Sequence, residues 1–259
     1  MSKKQERINQ ILNLFSEKDC MSCKQLSERL GVSEMTIRRD IQSLQESNIV
    51  ARGAKAGTFS LVEHTTHAKE DYEVSVEASK YALEKDRIGK FAATLISPGD
   101  TVIIATGTPT VRLAHHIPDD MEFTALCYNF GVFTELQRKR RADLILTGGQ
   151  FNRQSLSFNS NEGIEAIGRF RANKFFVAAS GIHDKLGLTC GYRSEIPNKQ
   201  ASMSSSLTKI LLADSSKFGT VRAAYFAELE DIDIMITDGN ISDEWRELIN
   251  AAGIRLYEV

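Results

Sequence analysis

One predicted helix in the N-terminal part of the chain presents side chains that can read DNA. Its apolar side chains recur at helical spacing and form one stripe, at Ile37, Ile41 and Leu44. At about 100° per residue, the opposite face carries Met35, Arg39 and Gln42, with Arg38 on its flank. In the major groove arginine bonds guanine in a fork, glutamine bonds adenine, and an apolar tip contacts the thymine methyl group. We therefore predict that this face reads base edges.

Four further residues near this helix could hold the DNA backbone. Ser33 and Thr36 lie in its first turn, near the positive end of the helix dipole, where they could bond phosphate oxygens. Arg52 and Lys55 lie on a predicted β-ribbon wing and could add phosphate or minor-groove contacts. Periodicity alone leaves a second interpretation open, because helix-turn-helix units also occur as protein-interaction modules with a solvated helical face.

A second group of residues that could do chemistry follows the predicted strands of the larger C-terminal part. Small and polar residues stand after six strands, in the sets Thr106-Gly107-Thr108-Pro109-Thr110, Asn129, Gly148-Gly149-Gln150, Ser180-Gly181, Ser215-Ser216-Lys217 and Thr237-Asp238. In an open parallel sheet the carboxyl ends of the strands share one edge, where ligands bind. The six sets therefore predict one concave site rich in hydroxyl and backbone N–H groups.

The Thr106–Thr110 turn is the best candidate in this group for holding a phosphate. It enters a helix directly, so its free N–H groups and the helix dipole can bind a dianion, and Lys217 is the candidate to neutralise the charge. The turn lacks the Gly-Lys-Ser/Thr ending of a Walker A loop, and it has no G-x-G-x-x-G fingerprint. A tight strand–helix turn that binds nothing uses similar residues, so this alternative stays open for any single loop.

Other residues give no comparable signal for metal or redox chemistry. Cys20 and Cys23 form a single C-x-x-C with no second pair and no histidine at finger-like spacing, whereas structural zinc needs four ligands. His115 and His116 are expected to be a surface pair at the end of a helix. We therefore expect reduced thiols, no metal, no cofactor and no catalytic residue.

A small helical module is needed to position the DNA-reading face. Three helices are predicted: one with an apolar stripe at Ile8, Ile11, Leu12 and Phe15, a short one that Ser22 caps and Gly31 ends, and the DNA-reading one. The segments 49–52 and 58–61, joined by a glycine-containing bend, predict the wing. Residues 1–61 are therefore expected to form a winged helix-turn-helix domain.

From residue 86 onward the pattern changes to strands that alternate with helices. The predicted strands are Thr101–Ala105, Phe123–Tyr128, Ala142–Leu146, Lys174–Ala179, Lys209–Ala213, Ile232–Ile236 and Ile254–Glu258. This alternation predicts a Rossmann-like, mostly parallel sheet covered on both faces, over residues 86–259. Residues 62–85 are polar and weakly patterned, and we expect a linker with at most one helix.

The charge distribution fits this division. Residues 1–60 hold ten Lys/Arg and seven Asp/Glu, whereas residues 61–259 hold 22 and 27, so a basic module precedes an acidic body in a chain of net charge −2. Such asymmetry is typical of an anion-binding module joined to a larger domain. No stretch approaches the roughly 18 apolar residues of a membrane helix, and no signal peptide is apparent. We expect a cytoplasmic protein with no membrane partner.

The segment from Leu30 to Ile41, Leu-Gly-Val-Ser-Glu-Met-Thr-Ile-Arg-Arg-Asp-Ile, resembles the recognition segment of the DeoR family of bacterial repressors. The resemblance continues in order along most of the chain, at Thr147-Gly148-Gly149, Gly187-Leu188-Thr189, Asp214-Ser215-Ser216-Lys217-Phe218-Gly219 and Ile236-Thr237-Asp238. It implies a larger domain similar to sugar-phosphate isomerases of the ribose-5-phosphate isomerase and glucosamine-phosphate deaminase type. Two departures are Ala105, where the family commonly has Asp, and a wing without the His-Gly-Gly turn.

Carried over by position, the resemblance implies a set of residues around a bound phosphate and sugar: Thr106, Gly107, Thr108, Thr110, Gly148, Gly149 and Lys217, with Glu195 and Lys199 at matching polar positions. The implied function is repression of a sugar-utilisation operon, with double-stranded operator DNA and a phosphorylated sugar as partners. A homo-oligomer is expected, because paired operator half-sites need paired readers. Two alternatives are an isomerase that acquired a DNA-binding domain, although its acid/base equipment looks thin, and a pure protein-interaction module.

Overall fold

The computed structural model describes residues 7–8, 10–11, 14–15, 20–46, 50–53, 57–61 and 81–259. The chain divides into two compact units, Met1–Ala82 and Leu83–Val259. Leu12 of the first predicted stripe, Lys55 of the predicted wing and nearly all of the predicted linker lie outside the described residues. None of the described helices is long and apolar enough to cross a membrane.

The first unit contains the expected helix-turn-helix and a small antiparallel sheet. Its elements are β1 (Met21–Ser22), α1 (Cys23–Leu30), α2 (Glu34–Glu46), β2 (Val50–Arg52) and β3 (Thr58–Leu61), and the sheet order is β1-β3-β2. The side chain of Ser22 caps α1, and Gly31 ends it at a φ of +65°, which a glycine adopts without steric cost. The predicted apolar stripes are confirmed where they are described, since Ile8, Ile11, Ile37, Ile41 and Leu44 are all buried.

The second unit alternates strands and helices. Its strands are β4 (Thr101–Ile104), β5 (Phe123–Cys127), β6 (Ala142–Leu146), β7 (Gln150–Asn152), β8 (Ser157–Asn159), β9 (Ala172–Ala178), β10 (Gly181–His183), β11 (Gly187–Cys190), β12 (Ser206–Leu212), β13 (Ala224–Ala227), β14 (Ile234–Thr237) and β15 (Arg255–Glu258). Its helices are α3 (Ala82–Ala93), α4 (Thr108–His116), α5 (Phe130–Leu136), α6 (Asn161–Arg169), α7 (Ile196–Ser204) and α8 (Asp243–Ala251).

Seven strands form one parallel sheet in the order β15-β14-β12-β9-β4-β5-β6. Each of the seven predicted strands overlaps one of them, so the predicted α/β architecture is confirmed. Helices α3, α4 and α5 bury apolar side chains against one face of the sheet, and α6, α7 and α8 do so against the other. The strand order reverses between β4 and β9, and at such a switch point the carboxyl ends of the two strands open a crevice.

Two small substructures were not predicted. Strands β7 and β8 form a hairpin, and β10, β11 and β13 form an antiparallel sheet. Each of these strands has only three or four residues, too few to show an alternating pattern. The last residues of the expected linker belong to the second unit's first helix. Helix α3 begins at Ala82, and Glu84 and Lys85 on it are buried.

Candidate DNA-reading helix and effector crevice

The start of α2 is organised by two hydroxyl groups. The Ser33 Oγ accepts a hydrogen bond from the Thr36 backbone N–H at 3.2 Å, and the two side-chain oxygens lie 2.9 Å apart. This arrangement caps the helix and satisfies one of the donors that a helix start leaves without an intrahelical partner. Both residues stand at the positive end of the helix, where a phosphate is favoured.

The outer face of α2 is open to solvent. Met35 is 63% exposed, an unusual position for a large apolar side chain, and Arg38, Arg39 and Gln42 are exposed beside it. The Arg38 guanidinium lies 3.9 Å from the Glu34 carboxylate, and because both side chains are largely exposed this pair contributes little to stability. The helix therefore presents the donors and the apolar tip that base-edge recognition uses.

A partly buried ion pair fixes α2 from its inner side. Asp40 is buried, and both of its carboxylate oxygens accept hydrogen bonds from Arg7, at 2.6 Å from Nε and 3.2 Å from Nη2. This hydrogen bonding raises the pKa of Arg7. The pair was missed from the sequence, although an aspartate three residues after the buried Ile37 is a sign that a buried charge needs a partner. Arg52 is exposed on β2.

The Thr106–Thr110 turn lies at the switch point between β4 and β9. Gly107 has a φ of +155°, and a Cβ placed on it would overlap the Cβ of Ala178 at the end of β9. The Thr110 hydroxyl donates to the carbonyl oxygens of Ala105 and Gly107, at 2.7 and 2.8 Å, so it braces the turn from within. Helix α4 begins at Thr108, and no side chain among the described residues caps it. Pro109 has no N–H, and the Val111 N–H donates to the Gly107 carbonyl oxygen. Thr108 and Thr110 therefore carry the N–H groups of this helix start that no described side chain accepts.

Three buried threonine hydroxyls lie at the carboxyl ends of the sheet. The Oγ1 atoms of Thr106, Thr147 and Thr237 have no hydrogen-bond partner within the described part of the chain. They follow or end β4, β6 and β14 respectively. Burying an unsatisfied hydroxyl costs stability, and such atoms in a native protein call for a specific explanation. A ligand oxygen at one of these positions would supply the missing partner.

Other predicted crevice residues already have structural roles. The Asn129 side chain accepts from the Val132 N–H, which caps α5, and donates to the carbonyl oxygens of Ser155 and Leu156, which ties the helix start to that loop. A Cβ on Gly149 would lie 2.5 Å from the Asn159 carbonyl oxygen, and one on Gly181 would lie 2.7 Å from the Thr189 hydroxyl. The three remaining predicted residues are not buried. Thr108 is partly exposed, and Gly148 and Gln150 are exposed.

The predicted sets also spread along the edge of the sheet. Strand β5 separates β4 from β6, so the Thr106 and Gly148–Gln150 sets are about 10 Å apart at the usual strand spacing. From β6 to β14 the edge extends over five spacings, about 24 Å. This span is longer than a single sugar phosphate. The sets nearest to the switch point are those at the ends of β4 and β9, and those at the ends of β5 and β12 lie one spacing further out on either side.

A buried ion pair lies beside the end of β9. The Lys199 ammonium donates to the Ala178 carbonyl oxygen at 2.6 Å and lies 3.6 Å from the Glu195 carboxylate. Both residues are buried, and burial raises the pKa of Glu195 although Lys199 opposes the shift. Because Gly107 packs against Ala178, the pair lies close to the Thr106–Thr110 turn.

Lys217 belongs to a one-turn helix at Ser215–Lys217 that two buried carboxylates hold. Asp214 accepts from the N–H and the hydroxyl of Ser216, and Asp238 accepts from the Ser215 N–H at 2.6 Å. The next residue, Phe218, pairs with Ile182 of β10. This pairing brings the turn beside the segment that leaves β9. The role of Lys217 at a phosphate stays a prediction.

The cysteines and histidines form no metal cluster among the residues that the structure describes. Cys20, Cys23, Cys127 and Cys190 are free thiols. His115 and His116 end α4 as expected, but each binds a carboxylate, Glu135 at 3.1 Å and Asp86 at 2.9 Å, and so they connect α4 to its neighbours.

A helix-turn-helix with an open basic face, followed by an α/β domain with a ligand-type crevice, defines a DNA-binding regulator with a sensor domain. The protein-family model for the DeoR-like helix-turn-helix domain matches residues 7–55. The family model for the DeoR C terminal sensor domain matches residues 80–239. The chain belongs to the DeoR family of transcriptional regulators. It is therefore a DNA-binding regulator of the repressor type and not an enzyme.

Two relatives of known name are repressors. The deoxyribose operon repressor of Escherichia coli (strain K12) is 32% identical over 255 residues, which cover 98% of each chain. The lactose phosphotransferase system repressor of Staphylococcus epidermidis is 28% identical over 242 residues, or 92% of this chain and 93% of the relative. A ribose 5 phosphate isomerase A structure from Neisseria gonorrhoeae matches 52% of this chain and 53% of its own, with a TM-score of 0.39 and 14% identity.

Proposed function

We propose that this protein represses a sugar-utilisation operon and that a phosphorylated sugar, bound at the ends of β4 and β9, changes its affinity for operator DNA. In this proposal residues 1–61 read the operator, residues 62–85 link, and residues 86–259 bind the effector. The related repressors named for a deoxyribose operon and for a lactose phosphotransferase system support a sugar-related role. The observation that carries the proposal is the unpartnered, buried Thr106 hydroxyl beside the uncapped start of α4.

A phosphate group suits this position for three physical reasons. The first N–H groups of α4 and the helix dipole favour a dianion. Because Gly107 has no side chain, the turn can pack directly against Ala178, which would hold its backbone N–H groups at the end of β9. The Thr106 hydroxyl can donate to a phosphate oxygen, which would satisfy an atom that is otherwise buried without a partner.

Two further groups would complete the site. Lys217 would neutralise the phosphate from the turn that follows β12, and Glu195 would accept hydrogen bonds from sugar hydroxyls while Lys199 holds its carboxylate in place. Asn129, Gly149 and Gly181 would shape the crevice through the packing described above rather than through ligand contacts.

On the DNA side, Arg39, Gln42 and Met35 would read base edges in the major groove, because all three are exposed on the outer face of α2. Ser33, Thr36, Arg38 and Arg52 would contact phosphates, and Lys55 is proposed for the wing from the sequence alone. We propose a homo-oligomer in which bound effector changes the fit of two reading helices to paired half-sites.

The sharpest test of the effector site compares three isosteric variants, Thr106→Val, Thr147→Val and Thr237→Val. Each removes one buried, unpartnered hydroxyl at a different strand end, so none should lower the free energy of unfolding. Thermal-shift titration with ribose 5-phosphate, 2-deoxyribose 5-phosphate, glucose 6-phosphate and inorganic phosphate measures binding. We expect only Thr106→Val to weaken sugar-phosphate binding, by roughly 10- to 150-fold, the value of one hydrogen bond to a charged group.

Three results would contradict parts of the proposal. If Thr106→Val binds as tightly as the wild type while Thr147→Val or Thr237→Val does not, the ligand lies at another strand end. If all three variants bind normally, the hydroxyls have no ligand role. If the wild type binds none of the sugar phosphates, the effector class is wrong.

A further inference from the structure

Helix α3 is the element through which the chain enters the second unit. The boundary between the two units falls between Ala82 and Leu83, and α3 begins at Ala82. Every covalent path from the crevice to the DNA-reading unit therefore passes through this helix. The first turn of α3 contacts Asp214, which follows β12, so it lies at the same edge of the sheet as the crevice.

The first connection between α3 and the crevice is a buried ion pair. The Lys85 ammonium lies 3.8 Å from the Asp214 Oδ2, and both side chains are almost completely buried. The other oxygen of Asp214 accepts from the Ser216 N–H, within the turn that carries Lys217. A displacement of that turn thus moves the carboxylate that faces α3.

Two more buried carboxyl groups extend this connection. Glu84 is buried beside Lys85 on α3, and Asp238 accepts from the Ser215 N–H on the same turn. Burial raises the pKa of Glu84, and the charges of Asp238 and Asp214 raise it further. The charges of Asp214, Asp238 and Arg87 act on Glu84, and Asp214 also faces the Lys85 ammonium. Such a set of charges is sensitive to geometry, because interactions between buried charges are weakly screened.

The second connection is a close packing of α3 on α4, the helix that begins in the Thr106–Thr110 turn. A Cβ on Gly89 would lie 2.5 Å from the Arg112 Cβ and 2.6 Å from the Leu113 backbone nitrogen. The His116 Nε2 lies 2.9 Å from the Asp86 carboxylate, so a polar contact also joins the two helices. With no side chain at Gly89 the helix backbones are in direct contact, and α3 must follow a shift of α4.

We infer that α3 couples effector binding to DNA binding: it is held by both loops that would clamp the phosphate, and it leads directly to the DNA-reading unit. Lys85 and Gly89 are positioning residues in this inference, since they act through Asp214 and α4 rather than on the ligand. The inference rests on the proposed effector site.

The decisive experiment compares Gly89→Ala with Gly168→Ala in the full chain. Both residues lie within helices, but a Cβ on Gly168 of α6 meets nothing within 4 Å, whereas one on Gly89 forces α3 and α4 apart. Both changes add one methyl group within a helix and replace glycine by a better helix former, so they differ mainly in what the methyl group meets. The readout is affinity for a duplex selected by the protein from random sequences, with and without the sugar phosphate that stabilises the wild type.

We expect Gly168→Ala to keep the wild-type response, which for typical allosteric coupling is about 5- to 150-fold in affinity. Gly89→Ala should still bind the duplex and the sugar phosphate, yet its response should fall below about twofold. A wild-type response in Gly89→Ala would overturn the inference. A wild type that binds no sugar phosphate would instead overturn the proposed function, and the inference with it.

Amide hydrogen exchange of the wild type tests the same inference without any variant. The inference expects the sugar phosphate to change the exchange of amides in α3 of the wild type as well as those of the Thr106–Thr110 turn. A change confined to the crevice loops would overturn the inference even if Gly89→Ala failed to fold. As a second variant, Lys85→Met should reduce the response in the same way as Gly89→Ala.

Discussion

The DNA-reading helix and the effector crevice use polar side chains in opposite ways. On α2 the proposed reading residues Arg39 and Gln42 are exposed to solvent. In the crevice Thr106, Glu195 and Lys199 are buried. A group on the surface keeps its hydrogen bonds to water until DNA arrives, whereas a buried group must find its partners within the protein or lose stability.

This difference determines what a substitution can reveal. If the proposed reading face is right, changing an exposed residue of α2 should alter DNA affinity with little effect on the free energy of unfolding. A change in the crevice alters packing and binding together, so each test there needs a matched control. Asn129 illustrates the point, because its amide already makes three hydrogen bonds inside the protein and its loss would change the fold of the loop first.

The largest effect is expected for Gly107→Ala, compared with Gly148→Ala. A Cβ at Gly107 overlaps Ala178, and its φ of +155° disfavours a side chain, whereas a Cβ at Gly148 meets nothing within 4 Å. We expect Gly107→Ala to lose sugar-phosphate affinity by roughly 100-fold or more, because at least one charge-assisted N–H bond is displaced. Overpacking should also lower the free energy of unfolding, by about 1–3 kcal/mol. Calorimetric titration and urea unfolding measure the two quantities.

Gly148→Ala distinguishes a local site from an extended one. Unchanged stability with unchanged binding would place the ligand near β4 and β9 alone. Weakened binding at unchanged stability would mean that the ligand reaches β6, contrary to the short site proposed above.

A smaller effect is expected for Arg39→Ala on the open helix. Loss of one bidentate contact to guanine costs about 1–3 kcal/mol, which corresponds to a 5- to 150-fold loss of affinity for the selected duplex. Stability should not change, because the side chain is exposed. Arg29→Ala, an equal loss of charge on the exposed end of α1, is the control. Gel-shift titration at fixed salt measures both, and equal affinity of Arg39→Ala and the wild type would show that the reading face is assigned wrongly.

The same contrast explains what could be predicted from the sequence. Ile37, Ile41 and Leu44 fix the orientation of α2, so its outer residues follow from helical geometry alone. The long apolar runs likewise predicted all seven parallel strands. The crevice was predicted only as a set of loops, because whether a polar residue faces a ligand or caps a helix depends on contacts distant in sequence. The pairs Lys199–Ala178 and Lys85–Asp214 join residues 21 and 129 positions apart, and no local pattern indicates them.

A still smaller effect is expected for Arg38→Ala, which tests the division of labour on α2. Arg38 lies on the flank of the helix, beside Glu34, and we expect it to contact a phosphate. Its removal should weaken binding to all sequences equally and reduce the slope of log affinity against log salt by about one. Titrations of a selected and a scrambled duplex at several salt concentrations measure this. A loss confined to the selected duplex would assign Arg38 to base reading.

The smallest effect concerns a buried carboxyl group of the α3 network, through the pH dependence of stability. Burial raises the folded-state pKa of Glu84 above its ordinary value of 4.5, and the charges of Asp238 and Asp214 add to the shift. A backbone hydrogen bond and the charge of Arg87 oppose the shift without reversing it. The folded protein then holds this proton more tightly than the unfolded chain does. The protonated Glu84 carboxyl group therefore makes its full contribution to stability below pH 4.5, and this contribution is lost as the pH rises through the folded-state pKa. Each tenfold difference in proton affinity between the folded and unfolded states corresponds to about 1.4 kcal/mol.

Glu84→Gln should remove this pH dependence, so the variant should match the wild type near pH 4 and exceed it in stability at pH 8. Urea unfolding followed by the fluorescence of Trp245, the one tryptophan of the chain, reports on the second unit. Glu165→Gln, on the exposed face of α6, controls for the loss of charge. A Glu84→Gln protein that is less stable than the wild type at pH 8 would show that the ionised carboxylate stabilises the network, opposite to the direction in which burial moves its pKa.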